Sequence, residues 1–145
     1  MTSQTLGEAY LWKAQRRLRV LDVLMEEQAY SDVVREAQEV VELALKAVLQ
    51  YMGVDPPKWH DVGPVMLQLR ERLPQSLQPD VERMAAISRW LRKEREFSFD
   101  GDVDFIPTEQ YTREDAARAL SDARFVVERV SAALSPPSGS SPAPS

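Results

Sequence analysis

The sequence predicts an all-α protein, an up-and-down antiparallel helical bundle of four main helices plus an additional shorter helix. Apolar residues recur at three- and four-residue steps over long segments, which is the spacing of a helix face that packs against a core. No segment shows the alternation of a half-buried strand. The segments between the helical patterns are short, which favours antiparallel neighbours.

The first helix is predicted over residues 5–28. Thr5 and Glu8 have the spacing of a capping box, in which the two side chains satisfy backbone amides at a helix start. The residues expected to form its buried stripe are Leu11, Ala14, Leu18, Leu21, Leu24 and Met25.

The second helix is predicted to begin at Ser31 or Asp32, either of which can cap it, and to end near Met52. Gly53 can take the left-handed conformation that ends a helix, and the Pro-Pro pair that follows prevents the helix from continuing. Its apolar face comprises Val33, Val34, Ala37, Val40, Val41, Ala44, Leu45, Val48 and Met52.

The third helix is expected to be capped by Asp61, to hold Pro64 in its first turn and to end at Pro74. The fourth begins after Pro79, and its last turns are rich in arginine. Its inward residues are predicted to be Val81, Met84, Ile87, Ser88 and Leu91.

Residues 96–111 contain aromatic and acidic residues with a glycine and a proline, and they predict an ordered surface loop. Thr112 and Asp115 then resemble a capping box for the fifth helix. The bundle is predicted to occupy residues 1–134. Residues 135–145, rich in serine and proline, are predicted to be a disordered tail because they carry no charge and no large apolar side chain.

Composition narrows the possible functions. The chain has 145 residues, a net charge of −5, no cysteine and one histidine, so it lacks a thiolate site and a multi-histidine site. We therefore expect no metal and no cofactor. The acidic balance gives no global attraction to nucleic acid, so such binding would need a local patch. No apolar run approaches the roughly 20 residues that span a bilayer, and the default expectation is a cytoplasmic protein without membrane contact.

Two places carry candidate binding residues. Arg89, Arg92 and Arg95 near the end of the fourth helix could bind phosphate, with Trp90 beside them to stack a base. The alternative is a solvated helix end, whose dipole also favours cations. His60 could contact a nucleotide or act as a base. Its alternative is a structural role at the start of the third helix.

Two segments resemble the HEPN family of small helical domains. One runs AQEVVELALKAVL, then a glycine, then PPKWHDV; the other is residues 95–120, REFSFDGDVDFIPTEQYTREDAARAL. The resemblance covers about residues 6–134. It implies a helical bundle that forms a homodimer, associates with nucleotides or RNA, and often partners a minimal nucleotidyltransferase (MNT) in toxin–antitoxin or stress systems.

Active members of the family are metal-independent ribonucleases. Their signature is an arginine followed, after about four to six residues, by a histidine. In this chain the positions at that spacing hold Phe97, Ser98 and Phe99 after Arg92, and then Asp100, Gly101 and Asp102 after Arg95. The sequence therefore favours a nucleotide- or RNA-binding module without an efficient catalytic set. The alternatives are a ribonuclease toxin with an atypical acid–base set and a non-catalytic dimerisation scaffold.

Overall fold

The computed structural model describes residues 2–58, 61–99 and 111–134, apart from the side chains of Ser3 and of residues 95–99. The helices are α1 (Ser3–Glu26), α2 (Tyr30–Tyr51), α3 (Val62–Gln68), α4 (Val81–Phe99) and α5 (Arg113–Leu134). Two single 3₁₀ turns, Arg70–Arg72 and Gln78–Asp80, lie between α3 and α4. The described residues contain no strand, so the predicted all-α bundle of four main helices and one shorter helix is confirmed.

Helix α2 lies at the centre of the bundle, where it contacts α1, α4 and α5 as well as α3. Because α2 has neighbours on several sides, its buried residues extend beyond a single stripe and include Gln38 and Leu49. The predicted apolar positions from Val33 to Val48 are all buried, whereas Met52 is only partly buried. No helix in the described part of the chain is long and apolar enough to cross a membrane.

Helices α1 and α2 approach each other closely at Gly7. A Cβ atom placed there would lie 2.8 Å from the carbonyl oxygen of Ala47 and 2.8 Å from the amide nitrogen of Tyr51, both of them backbone atoms of α2. Backbone atoms cannot rotate away as a side chain does. The absence of a side chain at Gly7 therefore sets the distance between these two helices.

We expect Gly7→Ala to destabilise the protein. Alanine gains about 1 kcal/mol of helix propensity over glycine, but forcing a methyl group into this contact costs about 1–3 kcal/mol. The net loss should lower the Tm by a few degrees, at roughly 3–5 °C per kcal/mol for a domain of this size. Thermal unfolding followed by circular dichroism checks this, with Ala9→Ser at an exposed position of α1 as the control. A Tm equal to or above that of the wild type would contradict the packing.

The starts of the first two helices differ from the prediction. Thr2, not Thr5, caps α1: its side-chain oxygen accepts a hydrogen bond from the Thr5 amide at 3.1 Å. Helix α2 begins at Tyr30 after Ala29, which makes no side-chain capping bond. The expected caps at Ser31 and Asp32 are therefore wrong, because the helix starts a residue earlier. Asp32 instead lies in the first turn, where its carboxylate interacts favourably with the positive end of the helix dipole.

Other helix ends match the prediction. Gly53 has φ of +80° and directly follows Met52, the C-cap of α2. The Asp61 carboxylate accepts a hydrogen bond from the Gly63 amide at 3.0 Å and caps α3. At the start of α5, the Thr112 amide donates to the Asp115 carboxylate at 3.0 Å, and the Asp115 amide donates to the Thr112 hydroxyl at 3.1 Å. These contacts form the predicted capping box.

The third and fourth helices end at unexpected places. Helix α3 ends at Gln68, well before Pro74, and the 3₁₀ turn follows it. Helix α4 continues to Phe99, so the loop predicted from residue 96 begins too early. Aromatic residues are tolerated in a helix, and Gly101 is the first residue after Glu96 with a very low helix propensity. The rest of that predicted loop, residues 100–110, lies outside the described residues. Its last anchor, Tyr111, is buried, and its hydroxyl donates to the Glu94 carbonyl at 2.8 Å.

The serine- and proline-rich tail, residues 135–145, also lies outside the described residues, and its disorder stays a prediction. Helix α5 ends at Leu134, whose side chain is buried. Deleting residues 136–145 should leave the Tm within about 1–2 °C, since changes away from packed features usually stay within about 0.5 kcal/mol. Differential scanning calorimetry of the shortened chain checks this. A drop of many degrees would show that the tail packs on the bundle.

Candidate functional site

A groove of about 570 Å³ lies between α3 and the outer face of α4. Its volume is within the range of ligand-binding clefts. Helix α3 and its cap contribute Asp61, Pro64 and Leu67, and α4 contributes Glu82, Ala85, Ala86, Arg89, Trp90 and Lys93.

The helical period explains which residues of α4 reach the groove. The groove positions recur at three- and four-residue steps from Glu82 to Lys93, and the buried positions from Val81 to Leu91 alternate with them on the opposite face. At the bottom, Gly63 and Ala85 let the helices come close, since a Cβ at Gly63 would lie 3.2 Å from the Ala85 Cα. Small residues thus form the floor, and longer side chains form the rim.

One carboxylate fixes α3 against α4. Asp61 caps α3 and also accepts a hydrogen bond from the Ser88 hydroxyl at 2.6 Å. Ser88 is buried on α4, as the sequence predicts, and 27 residues separate it from Asp61. This contact holds the two walls of the groove at a set distance.

The acidic side chains of the groove have partners, whereas two of its basic side chains do not pair with a described carboxylate. Glu82 pairs with Arg70 at 2.8 Å, and Asp61 is bonded to Ser88 and Gly63. Arg89 and Lys93, four residues apart on α4, are exposed, and neither forms an ion pair with a carboxylate of the described residues. The rim of the groove therefore carries two cations that are available to an anionic ligand.

Trp90 is held in place by a cation from α5. The Arg118 guanidinium lies 3.9 Å from the centre of the Trp90 ring and 3.7 Å from the Asp122 carboxylate. Burial raises the pKa of the Asp122 carboxyl, and the nearby Arg118 and Arg83 guanidinium groups oppose that rise. The stacking of Arg118 fixes Trp90 as an aromatic wall beside the two rim cations.

Arg92 does not face the groove. Its guanidinium lies 3.5 Å from the Glu42 carboxylate on α2, and Gln38 donates to the other oxygen of Glu42 at 3.3 Å. Both charged side chains are mostly buried, at 31% and 20% exposure. Arg92 thus links α4 to α2, and the structure does not bring it together with Arg89.

The other two candidate residues are only partly placed. Arg95 lies within α4, but its side chain is outside the described part, and His60 is outside it entirely. Sequence reasoning missed Lys93, although its position four residues after Arg89 was a signal that the two share a face.

The groove combines three features that suit one kind of ligand. An apolar floor and an aromatic wall can accept a planar base or a ribose, and an arginine with a lysine can contact phosphate. The described residues hold no group of three or more His, Cys, Asp or Glu side chains that could bind a metal ion. The apolar floor, the aromatic wall and the two cations suit the groove to binding through stacking and charge.

Comparison with known proteins gives two matches. The HEPN domain family model matches residues 8–133. The chain is also 30% identical, over 132 residues, to a protein of Methanocaldococcus jannaschii named "Putative toxin MJ1304", and the match covers 84% of each chain. No solved structure matches the chain significantly.

Proposed function

This chain belongs to the HEPN domain family, and we propose that it is a nucleotide- or RNA-binding protein of a toxin–antitoxin or stress-type system. The α3/α4 groove holds the ligand in this proposal. The observation that carries it is the pair of rim cations, Arg89 and Lys93, beside the fixed ring of Trp90.

The groove chemistry supports a phosphate-containing ligand with a planar group. Arginine contacts phosphate through two parallel hydrogen bonds, and lysine acts as a compact charge. Leu67 is 41% exposed, so it offers apolar surface to a base or sugar next to Trp90.

A titration tests the binding proposal. Fluorescein-labelled single-stranded RNA of about ten nucleotides should bind with an affinity that falls as salt rises, because phosphate contacts release counterions. AMP and ATP as competitors distinguish a mononucleotide site from a strand site. An affinity for both RNA and nucleotides that is negligible even at low salt would contradict the proposal.

The name of the relative, a toxin, supports a toxin-like role for this chain. We propose that the partner is a minimal nucleotidyltransferase, as the family resemblance implies. Co-expression with a minimal nucleotidyltransferase from the same genome, followed by affinity purification, tests the pairing. Failure of the two to co-purify would contradict this partner without affecting the groove.

We also propose that the protein is a homodimer with a twofold interface, the arrangement that predominates among symmetric oligomers. Sedimentation at micromolar concentration should give twice the 16.5 kDa mass of the chain. A single species of 16.5 kDa would contradict the dimer.

A ribonuclease toxin with an atypical acid–base set is the second candidate, and the toxin name of the relative is the observation that favours it. The missing histidine at the family spacing opposes it. A pure dimerisation scaffold is the third candidate. It predicts that neither RNA nor nucleotides bind to the groove under any condition.

A further inference from the structure

The outer face of α1 exposes three large apolar side chains. Trp12 is 59% exposed, Val20 is 46% exposed and Val23 is 57% exposed. On the opposite face of the same helix, Leu11, Ala14 and Leu21 are buried, and α1 packs there against α2 and α5. The exposed residues therefore do not contribute to the core of the bundle.

These side chains form one stripe. Trp12, Arg16, Val20 and Val23 follow at steps of four, four and three residues, so they lie on one side of the helix. At 1.5 Å per residue the stripe is about 16 Å long. Solvent-exposed apolar residues that occur singly are common, but a continuous stripe of this kind is typical of an interaction site.

Three cations accompany the stripe. Lys13, Arg16 and Arg19 are exposed and form no ion pair with a carboxylate of the described residues, and Arg16 stacks over Trp12 at 5.2 Å from the ring centre. We call the stripe and these cations the α1 surface.

Between Trp12 and Val23, α1 carries two further charges, and both are already paired within the bundle. Arg17 lies 3.6 Å from Glu36 of α2, and Asp22 lies 2.9 Å from Arg124 of α5. These pairs join α1 to its neighbours. Lys13, Arg16 and Arg19 are therefore the cations in the middle of α1 that have no carboxylate partner among the described residues.

We propose that the α1 surface binds an amphipathic helix of another protein, whose apolar stripe is flanked by Asp and Glu residues. The apolar side chains of the two helices would pack against each other, and Trp12, which binding would bury, would act as the anchor of the interface. The acidic flanks would face Lys13, Arg16 and Arg19, which gives orientation and a faster encounter. The site lies on a different helix from the groove, so the proposal is independent of ligand binding there.

A second copy of this chain fits the α1 surface less well. Two α1 helices that pair antiparallel about the centre of the stripe would set Trp12 of one copy against Val23 of the other. The same register sets Arg16 of one copy against Arg19 of the other, which places like charges together on both sides of the axis. Juxtaposed like charges are destabilising, whereas an acidic helix turns the same cations into a favourable contact.

The test uses two synthetic helical peptides of about 20 residues with the same leucine stripe. One carries Glu at the flanking positions and the other carries Lys, and each bears fluorescein for anisotropy. The Glu peptide should bind the full-length protein at least about tenfold more tightly than the Lys peptide. Trp12→Ser with Val23→Ser should weaken binding of the Glu peptide by a similar factor.

Charge reversal gives the sharpest arm of the test. The double variant Arg16→Glu, Arg19→Glu should prefer the Lys peptide, and the control Arg113→Glu, at an exposed position of α5, should leave the preference unchanged. Circular dichroism verifies that each variant is folded. A change of preference, unlike a simple loss of binding, cannot result from partial unfolding.

Several outcomes would overturn the proposal. Equal binding of both peptides, or binding unaffected by the α1 variants, would remove the role of this surface. Cosedimentation with phosphatidylserine vesicles that requires Trp12, without peptide binding, would assign the surface to a membrane. Conversion of a dimer to a monomer by the Trp12 and Val23 changes would assign it to a second copy.

Discussion

Purified protein is expected to leave a structured RNA such as tRNA essentially uncut in the absence of metal. A positioned acid–base group typically contributes a factor of about 10²–10⁴ to the rate of such a reaction. The family's ribonuclease signature places a histidine at positions that here hold Phe97, Ser98 and Phe99, or Asp100, Gly101 and Asp102. Without that imidazole we expect cleavage slower by a factor in that range.

The aspartates at these positions are poor substitutes. An ordinary carboxyl group ionises near pH ~4, so at neutral pH it is a weak base and cannot donate a proton as a general acid. A carboxylate takes over acid–base chemistry only where burial or a neighbouring negative charge raises its pKa.

His60 is the one histidine of the sequence and could supply the missing imidazole. Two variants test whether His60 or Arg95 takes part in cleavage. Cleavage of tRNA should be equally slow for the wild type, for His60→Ala and for Arg95→Ala. Robust cleavage by the wild type that either substitution abolishes would rule out the non-catalytic proposal and favour the ribonuclease toxin. Addition of EDTA to every reaction excludes contaminating metal-dependent nucleases.

The double variant Arg89→Ala, Lys93→Ala should bind single-stranded RNA at least about tenfold more weakly than the wild type. Each cation that contacts a phosphate contributes a charge-assisted interaction, which is reduced here by exposure to solvent. The slope of log affinity against log salt should also fall by about 0.7 for each phosphate that the variant no longer neutralises. Anisotropy titrations at several salt concentrations measure both quantities.

Arg92→Ala is the matched control for that experiment. It removes an arginine from the same helix, but one that faces Glu42 rather than the groove. We expect RNA affinity within about twofold of the wild type and a decrease of about 1 kcal/mol in stability, because the partly buried Glu42 is left without its cation. If Arg92→Ala weakens binding as much as the double variant, the ligand lies on the α2 side of α4.

The buried face of α4 could be predicted from the sequence alone. All five inward positions, Val81, Met84, Ile87, Ser88 and Leu91, are buried, because a helix of 3.6 residues per turn repeats the same face. Helix starts were less predictable. Thr5 has a good capping pattern, but Thr2 lies three residues earlier and its side chain makes the capping bond, so the helix begins before Thr5.

The candidate site was only partly predictable for a related reason. Arg89 and Arg92 are three residues apart and both belong to the arginine-rich end of α4. Their separation into a groove cation and an interhelical cation depends on α3 packing along one side of α4 and α2 along the other. The contact of Asp61 with Ser88 spans 27 residues and leaves no periodic signal in the sequence.

Photo-crosslinking tests the binding groove most directly. A short RNA that contains 4-thiouridine is irradiated with the full-length protein, and the linked peptides are identified by mass spectrometry. We expect the links to map to Trp90, Lys93 and the facing residues of α3, and to disappear in the Arg89→Ala, Lys93→Ala variant. Links confined to other helices, unchanged in that variant, would contradict the assignment of the α3/α4 groove as the nucleotide-binding site.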